Sequence, residues 1–260
     1  MTASARTIAI ANQKGGVGKT TTSVNLATAL TACGRRVLLI DFDPQGNAST
    51  GLGIDSDDRD ANSYRLLTGD ITATAAVRPS SVDGLDIIAA VVDLSAAEIE
   101  LADLEYREYR LRDALAPLAS NYDYILIDCP PSLGLLTVNA LCAADRVLVP
   151  LQCEFYALEG LSQLMRTIET VRARLNPGLR LQGIVLTMYD NRNKLSEQVA
   201  QDVRTHLGEI VYHTVIPRNV RVSEAPSFGQ PVLMYDLKCA GSQAYVALAA
   251  ELLNQEKEAA

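Results

Sequence analysis

Short runs rich in Val, Ile and Leu recur along this chain between stretches of helical periodicity, and that alternation restricts the fold more than any single motif does. The runs are RTIAIA (6–11), RRVLLID (35–41), GLDIIAA (84–90), YDYILID (122–128), DRVLVPL (145–151), RLQGIVLTM (180–188) and EIVYHTVIP (209–217). Such runs suit strands covered on both faces, and those strands lie in parallel sheets whose connections cross over as helices. Periodicity places helices over 20–32, 95 to about 118 (an acidic amphipathic stretch), 135–143, 158–175, 195–207 and 242 to about 255. No linker rich in Pro, Gly or Ser divides the chain and no repeat period stands out, while 44–62, 68–83 and 217–231 read as loops. The expectation is an α/β fold forming one domain over 1–260: a doubly wound, mostly parallel sheet flanked by helices, with ligands at the carboxyl ends of its strands.

Composition narrows the function classes. Hydrophobic residues make up 48% of the 260, enough for a sizeable core. With 23 basic against 31 acidic residues the net charge is −8, so any binding to nucleic acid has to be local. Cys33, Cys129, Cys142, Cys153 and Cys239 are scattered, odd in number and never spaced C-x-x-C, which suits a reducing cytoplasm better than a disulfide framework or a zinc site. Neither the opening MTASARTIAIANQ nor apolar runs such as IIAAVV have the form of an export signal or a bilayer span, so a soluble, unexported protein is expected.

The segment ANQKGGVGKTTT (11–22) joins the first predicted strand to the first predicted helix. A glycine-rich turn running into a helix is the context of a phosphate-binding loop. Gly15, Gly16 and Gly18 leave room for backbone N–H groups to converge on phosphate oxygens, Lys19 supplies positive charge, and Thr20 offers a hydroxyl to Mg²⁺. Val17 and Thr21 complete the expected nucleotide cradle. The pattern G-x-x-x-x-G-K-[ST] would put glycine at position 13, where this chain has Gln13, and the loop carries a second lysine, Lys14. Two ammonium groups on the same phosphates would crowd like charge, so Lys14 is expected to point outward toward another phosphate, the alternative being a solvated surface lysine.

K-G-G-V-G-K-T (14–20), LLIDFDPQGN (38–47), YDYILIDCPPSLG (122–134) and IPRNVRVSEAPSFGQPV (216–232) together resemble the ParA/Soj chromosome- and plasmid-partitioning ATPases, over nearly the whole chain. That family belongs with MinD and nitrogenase iron protein in the deviant phosphate-loop group. The resemblance implies ATP and Mg²⁺ as cofactors, and a sandwich homodimer in which Lys14 reaches the nucleotide of the other subunit and so joins Lys19 and Asp43 in catalysis.

Asp41, Asp43 and Asp128 fall at the carboxyl ends of predicted strands, facing the crevice of the phosphate loop. One strand-end Asp alone is more often a cap or turn former, but three sharing a crevice suit metal and water handling in phosphoryl transfer. By the resemblance, Asp43 orients the attacking water, Asp128 holds Mg²⁺ through water, and Asp41 supports that arrangement. The guanine-selecting N-K-x-D is approached only by NKLS (193–196), so ATP is preferred to GTP. The resemblance places adenine contacts in the late segments, which makes Pro217 and Asn219 the candidates. Cys129 and Cys153 read as small buried residues rather than cluster ligands.

ParA-like dimers bind DNA without sequence preference, whereas MinD-like relatives bind membrane. The closing SQAYVALAAELLNQEKEAA ends with three glutamates to one lysine, the opposite of a face that anchors to anionic lipid. Arg192 and Lys194, Arg218 and Arg221, with Lys238 as a further site, are the candidate DNA contacts, and Arg192 and Arg221 match positions of DNA-contacting arginines in the family. Solvated surface charge competes with each singly, but a dimer doubles the patch. With so few residues before the first strand, an N-terminal DNA-reading domain like that of larger plasmid relatives is not expected, nor is sequence-specific operator binding. The resemblance implies a nucleoid-associated cytoplasmic ATPase, weakly active alone and stimulated by a ParB-like partner. A MinD-like membrane-positioning ATPase is the alternative, with a redox iron protein and a purely structural nucleotide-binding protein as further ones.

Overall fold

The computed structural model describes residues 5–154 and 157–258. Eight strands form one sheet: β1 (Arg6–Ile10), β2 (Val37–Asp41), β3 (Arg78–Pro79), β4 (Leu85–Ile88), β5 (Tyr124–Asp128), β6 (Arg146–Gln152), β7 (Arg180–Tyr189) and β8 (Val211–Pro217). Their order is β3-β4-β2-β5-β1-β6-β7-β8, and every pairing is parallel except that of β3 with β4. After β1 the chain builds one half of the sheet, returns to β5 beside β1, and then builds the other half from β6 onward. The carboxyl end of β1 therefore lies at the switch point where doubly wound sheets bind ligands.

Side chains alternate across the sheet with the period of a strand. Ile8, Ile10, Leu39 and Leu126 pack on one face with Leu26 and Leu30 of the helix Lys19–Ala32 and Leu248 and Leu252 of the helix Ala240–Glu258. Ala9, Leu38, Ile40 and Ile127 face the other layer, with the helices Arg110–Leu115, Leu135–Ala143, Ala157–Arg174 and Lys194–Leu207. Because both faces are covered, the central strands read as continuous apolar runs.

Two expectations need correction. The stretch 95–118 is no single helix: it breaks into Val92–Ser95, Ala97–Glu100, Arg107–Tyr109, Arg110–Leu115 and Ala116–Leu118. Tyr106 has φ 58°, a left-handed conformation that no helix continues through, and it stands between buried Leu94, Ala97 and Leu101 on one side and Leu111, Leu115 and Leu118 on the other. The three segments read as loops contain short helices, Asn47–Gly51 and Ala73–Ala76 among them, together with the antiparallel edge strand β3.

Candidate functional site

The phosphate loop leaves β1 and turns at Gly16 (φ 76°) and Gly18 (φ 87°), both in the left-handed region where a side chain is strained. Gly18 is the N-cap of Lys19–Ala32 and supplies no side-chain cap, so the first-turn N–H groups remain open to an anion. Lys19 is buried, and its Nζ donates to the Lys14 carbonyl at 3.1 Å. Burial lowers its pKa, opposed by the nearby carboxyl groups of Asp128 and Asp43. The Thr187 hydroxyl, at the end of β7, donates to the Val17 carbonyl at 2.8 Å and so fixes the loop against the sheet. Lys14 is exposed, as expected, but its ammonium is ion-paired with Glu154 of the same chain.

Asp41 and Asp128 are paired in register on neighbouring strands. Asp128 Oδ1 lies 2.8 Å from the Ser23 hydroxyl, and its Oδ2 is buried with no partner. Burial raises the Asp128 pKa well above the carboxylate range, with the charges of Asp41 and Asp43 adding to the shift and the Ser23 and Thr20 hydroxyls opposing it. Asp41 accepts from the Ser49 N–H at 2.7 Å and the Ser49 hydroxyl at 2.6 Å; burial still raises its pKa. Asp43 is also buried; its Oδ1 accepts from the Gln45 N–H at 3.0 Å, while its own N–H donates to Asp41. An unpartnered, buried carboxylate oxygen at the helix carrying Thr20 suits a hydrated divalent cation. Among the described residues no three His, Cys, Asp or Glu side chains form a self-sufficient metal cage, and a phosphate-bound Mg²⁺ requires none.

A cleft of about 440 Å³ adjoins the loop, lined by Gly18, Thr21, Met188, Pro217, Asn219 and Tyr245 among others. Pro217 and Asn219 thus join the phosphate loop at one cavity. Asn219 also caps the helix Val220–Glu224 by accepting from the Arg221 N–H at 2.9 Å. Met188 lines the same cleft in a left-handed conformation, φ 50°, a strained arrangement for a residue with a side chain.

The candidate DNA contacts sit at the ends of β7 and β8. Arg192 forms a fork with Asp190, both bonds 3.0 Å, and holds that carboxyl down at about 2. Arg221 pairs with Glu224 at 2.9 Å and Asp236 at 3.6 Å. Arg218 lies near enough to Asp190 to help lower its pKa, and Lys194 begins the helix Lys194–Leu207. Arg192 and Arg221 are thus each engaged by carboxylates of their own chain. Cys129 and Cys153 pack in the core, where burial raises both thiols, Cys153 to about 11.

Several residues of this site carried no weight in the sequence. Ser23 stands one turn beyond Lys19, Ser49 supports Asp41, Thr187 clamps the loop, and Glu154 pairs with Lys14. Thr187 was within reach, since a polar residue ending an apolar strand points at the crevice.

Residues 5–181 match the family described as an AAA domain. The chain is 65% identical over 255 residues to the chromosome partitioning protein ParA of Caulobacter vibrioides, covering 97% of this chain and 96% of that protein. It is 53% identical to the sporulation initiation inhibitor protein Soj of Bacillus subtilis, covering 94% and 97% respectively. A solved structure described as cobyrinic acid a,c-diamide synthase from Mycobacterium smegmatis, with bound ATP analog and magnesium, is 41% identical with a TM-score of 0.86, covering 98% of this chain and 97% of that one. On these similarities the chain belongs to the ParA/Soj family of partitioning ATPases.

Proposed function

We propose that residues 1–260 form a single ATPase domain that moves DNA by cycling between an ATP-closed homodimer and an open, ADP-bound or free chain. The observation that carries this reading is the buried, unpartnered Oδ2 of Asp128, on the strand next to Asp41 and close in charge to Lys19. The solved relative with ATP analog and magnesium supports ATP and Mg²⁺ as the cofactors. The N–H groups from Gly15 to Thr21 and the Lys19 ammonium would bind the phosphates, Thr20 and Asp128 would hold the cation, and Asp41 supports that arrangement from the neighbouring strand. When bound, Mg²⁺ neutralises charge on the phosphates. Asp43 orients the water that attacks the terminal phosphate, and Pro217 and Asn219 bound the base.

Lys14 reaches the nucleotide of the second subunit, so ATP closes the dimer. The closed dimer doubles the patch of Arg192, Lys194, Arg218 and Arg221 and binds DNA through phosphates without reading sequence. A ParB-like protein on the cargo stimulates hydrolysis and releases the dimer, in the cytoplasm and on the nucleoid. The membrane-bound alternative has less support, because Ala240–Glu258 buries Tyr245, Leu248 and Leu252 in the core and so does not present that apolar face to a lipid interface. Co-sedimentation with DNA and with anionic liposomes, under ADP, ATP and a nonhydrolysable analogue, tests the reading. ATP-dependent recovery with DNA alone is expected, and recovery with liposomes alone would overturn it.

A further inference from the structure

Arg59 is a buried charge outside the phosphate loop, 8% exposed in the segment after Asp43. Its guanidinium donates to the Ile54 carbonyl (2.8 Å from Nη2), the Ala90 carbonyl just beyond β4 (3.1 Å) and the Thr50 hydroxyl (2.8 Å). Thr50 Oγ1 in turn donates to the Gly46 carbonyl at 3.1 Å, and the Gly46 N–H donates to the Asp43 carbonyl at 2.9 Å. Gly46 is left-handed at φ 64°, and a Cβ there would stand 2.1 Å from Arg59 Nη1. The turn from Asp43 to Gly46 is thus folded against the guanidinium, and a side chain at position 46 would have to displace Arg59 Nη1 and crowd the Ala90 carbonyl at 3.2 Å.

We propose that Arg59 is a positioning residue for ATP hydrolysis, holding the Asp43–Gly46 turn so that the Asp43 carboxylate meets the attacking water. This rests on the reading of Asp43 given above. A planar guanidinium reaches three acceptors set in different directions, and a lysine ammonium in the same space cannot match that fork. Misplacing a water-orienting group by a fraction of an ångström is costly to the chemical step and nearly neutral to nucleotide binding, which depends on the loop and Lys19.

The test compares Arg59→Gln, Arg59→Lys, Thr50→Val and Asp43→Ala by steady-state phosphate release, ATP-dependent dimerisation and thermal melting. Arg59→Gln is expected to lower kcat about tenfold or more while KM for ATP stays within about threefold and the ATP dimer still forms. Arg59→Lys should regain melting temperature but not kcat. Thr50→Val, which exchanges the hydroxyl of an exposed residue for a methyl, should lower kcat in the same direction by less, and it decides the matter if the buried substitutions fail to fold. Normal turnover in Thr50→Val together with Arg59→Lys overturns the proposal, as does an Arg59→Gln protein that loses nucleotide affinity and melting temperature in step with kcat. If Asp43→Ala turns over normally, the reading of Asp43 fails instead, and an effect at Arg59 would then arise by another route.

Discussion

Lys14 and Glu154 form an ion pair within a single chain, so the lysine proposed to bridge subunits is already occupied when the chain is alone. Crossing to a partner's nucleotide breaks that pair, and a symmetric dimer breaks two. Exposed pairs contribute about 0–1 kcal/mol each, so Glu154→Gln should tighten ATP-dependent association by a few-fold rather than by orders of magnitude. Lys14→Ala should keep nucleotide binding and lose the dimer, while Lys19→Ala loses both. Sedimentation velocity with ATP checks all three. A fully dimeric Lys14→Ala protein would remove the cross-subunit role.

Asp43→Ala should trap the ATP dimer. The phosphate cradle and Lys19 are untouched, whereas the group that aims the water is gone, so turnover should fall about a hundredfold or more with dimer and DNA complex intact. Phosphate release measured beside DNA co-sedimentation separates the two effects. Turnover near that of the unmodified protein would show that Asp43 is not the hydrolytic residue.

The strands were legible because the physics that buries them also writes them: Leu38, Leu39 and Ile40 are apolar in succession since β2 is covered on both faces. β3 was not, being two residues at an edge. Over 95–118 each half has helical spacing, and periodicity has no means of seeing the left-handed Tyr106 between them. The phosphate loop was readable since its chemistry belongs to one contiguous backbone. Thr187 and Val17 meet across 170 positions, and Glu154 reaches Lys14 from the end of β6, contacts that only the assembled sheet creates. The pairing of Arg221 with Glu224 is an i,i+3 relation on the short helix Val220–Glu224, and reading 217–231 as a loop leaves no place for it.

Asp128→Asn should stabilise the nucleotide-free protein while destroying its turnover. The folded Asp128 carboxyl keeps its proton to higher pH than an unfolded Asp, because burial and then Asp41 disfavour its charge. Stability is therefore fully present below the ordinary carboxylate range and is lost as pH rises from there toward the folded value. The amide does not titrate, so the variant should melt several degrees higher at pH 8 in EDTA and show a smaller advantage at pH 5. Differential scanning calorimetry at the two pH values decides it. An equal gap at both would show that the buried carboxylate does not cause the effect.

DNA affinity should be limited by the carboxylates that hold the basic patch. Arg192 is forked to Asp190, and Arg221 is held between Glu224 and Asp236, so each must exchange an internal partner for a phosphate when DNA binds. Arg192→Glu and Arg221→Glu should each abolish binding while ATP-driven dimerisation and basal hydrolysis persist. Asp190→Asn should act in the opposite direction: it frees Arg192 and removes a negative charge near Arg218, raising affinity for unrelated duplexes alike. Salt dependence supplies the finer test. Every phosphate neutralised contributes about −0.9 to the log–log slope, so freeing Arg192 in both subunits should steepen the slope by up to about 2. Fluorescence anisotropy across a salt series, with ATP and with ADP, measures affinity and slope together. Unchanged affinity in both arginine variants would place the DNA surface elsewhere, and an Asp190→Asn protein that binds no more tightly would show that the fork does not compete with DNA.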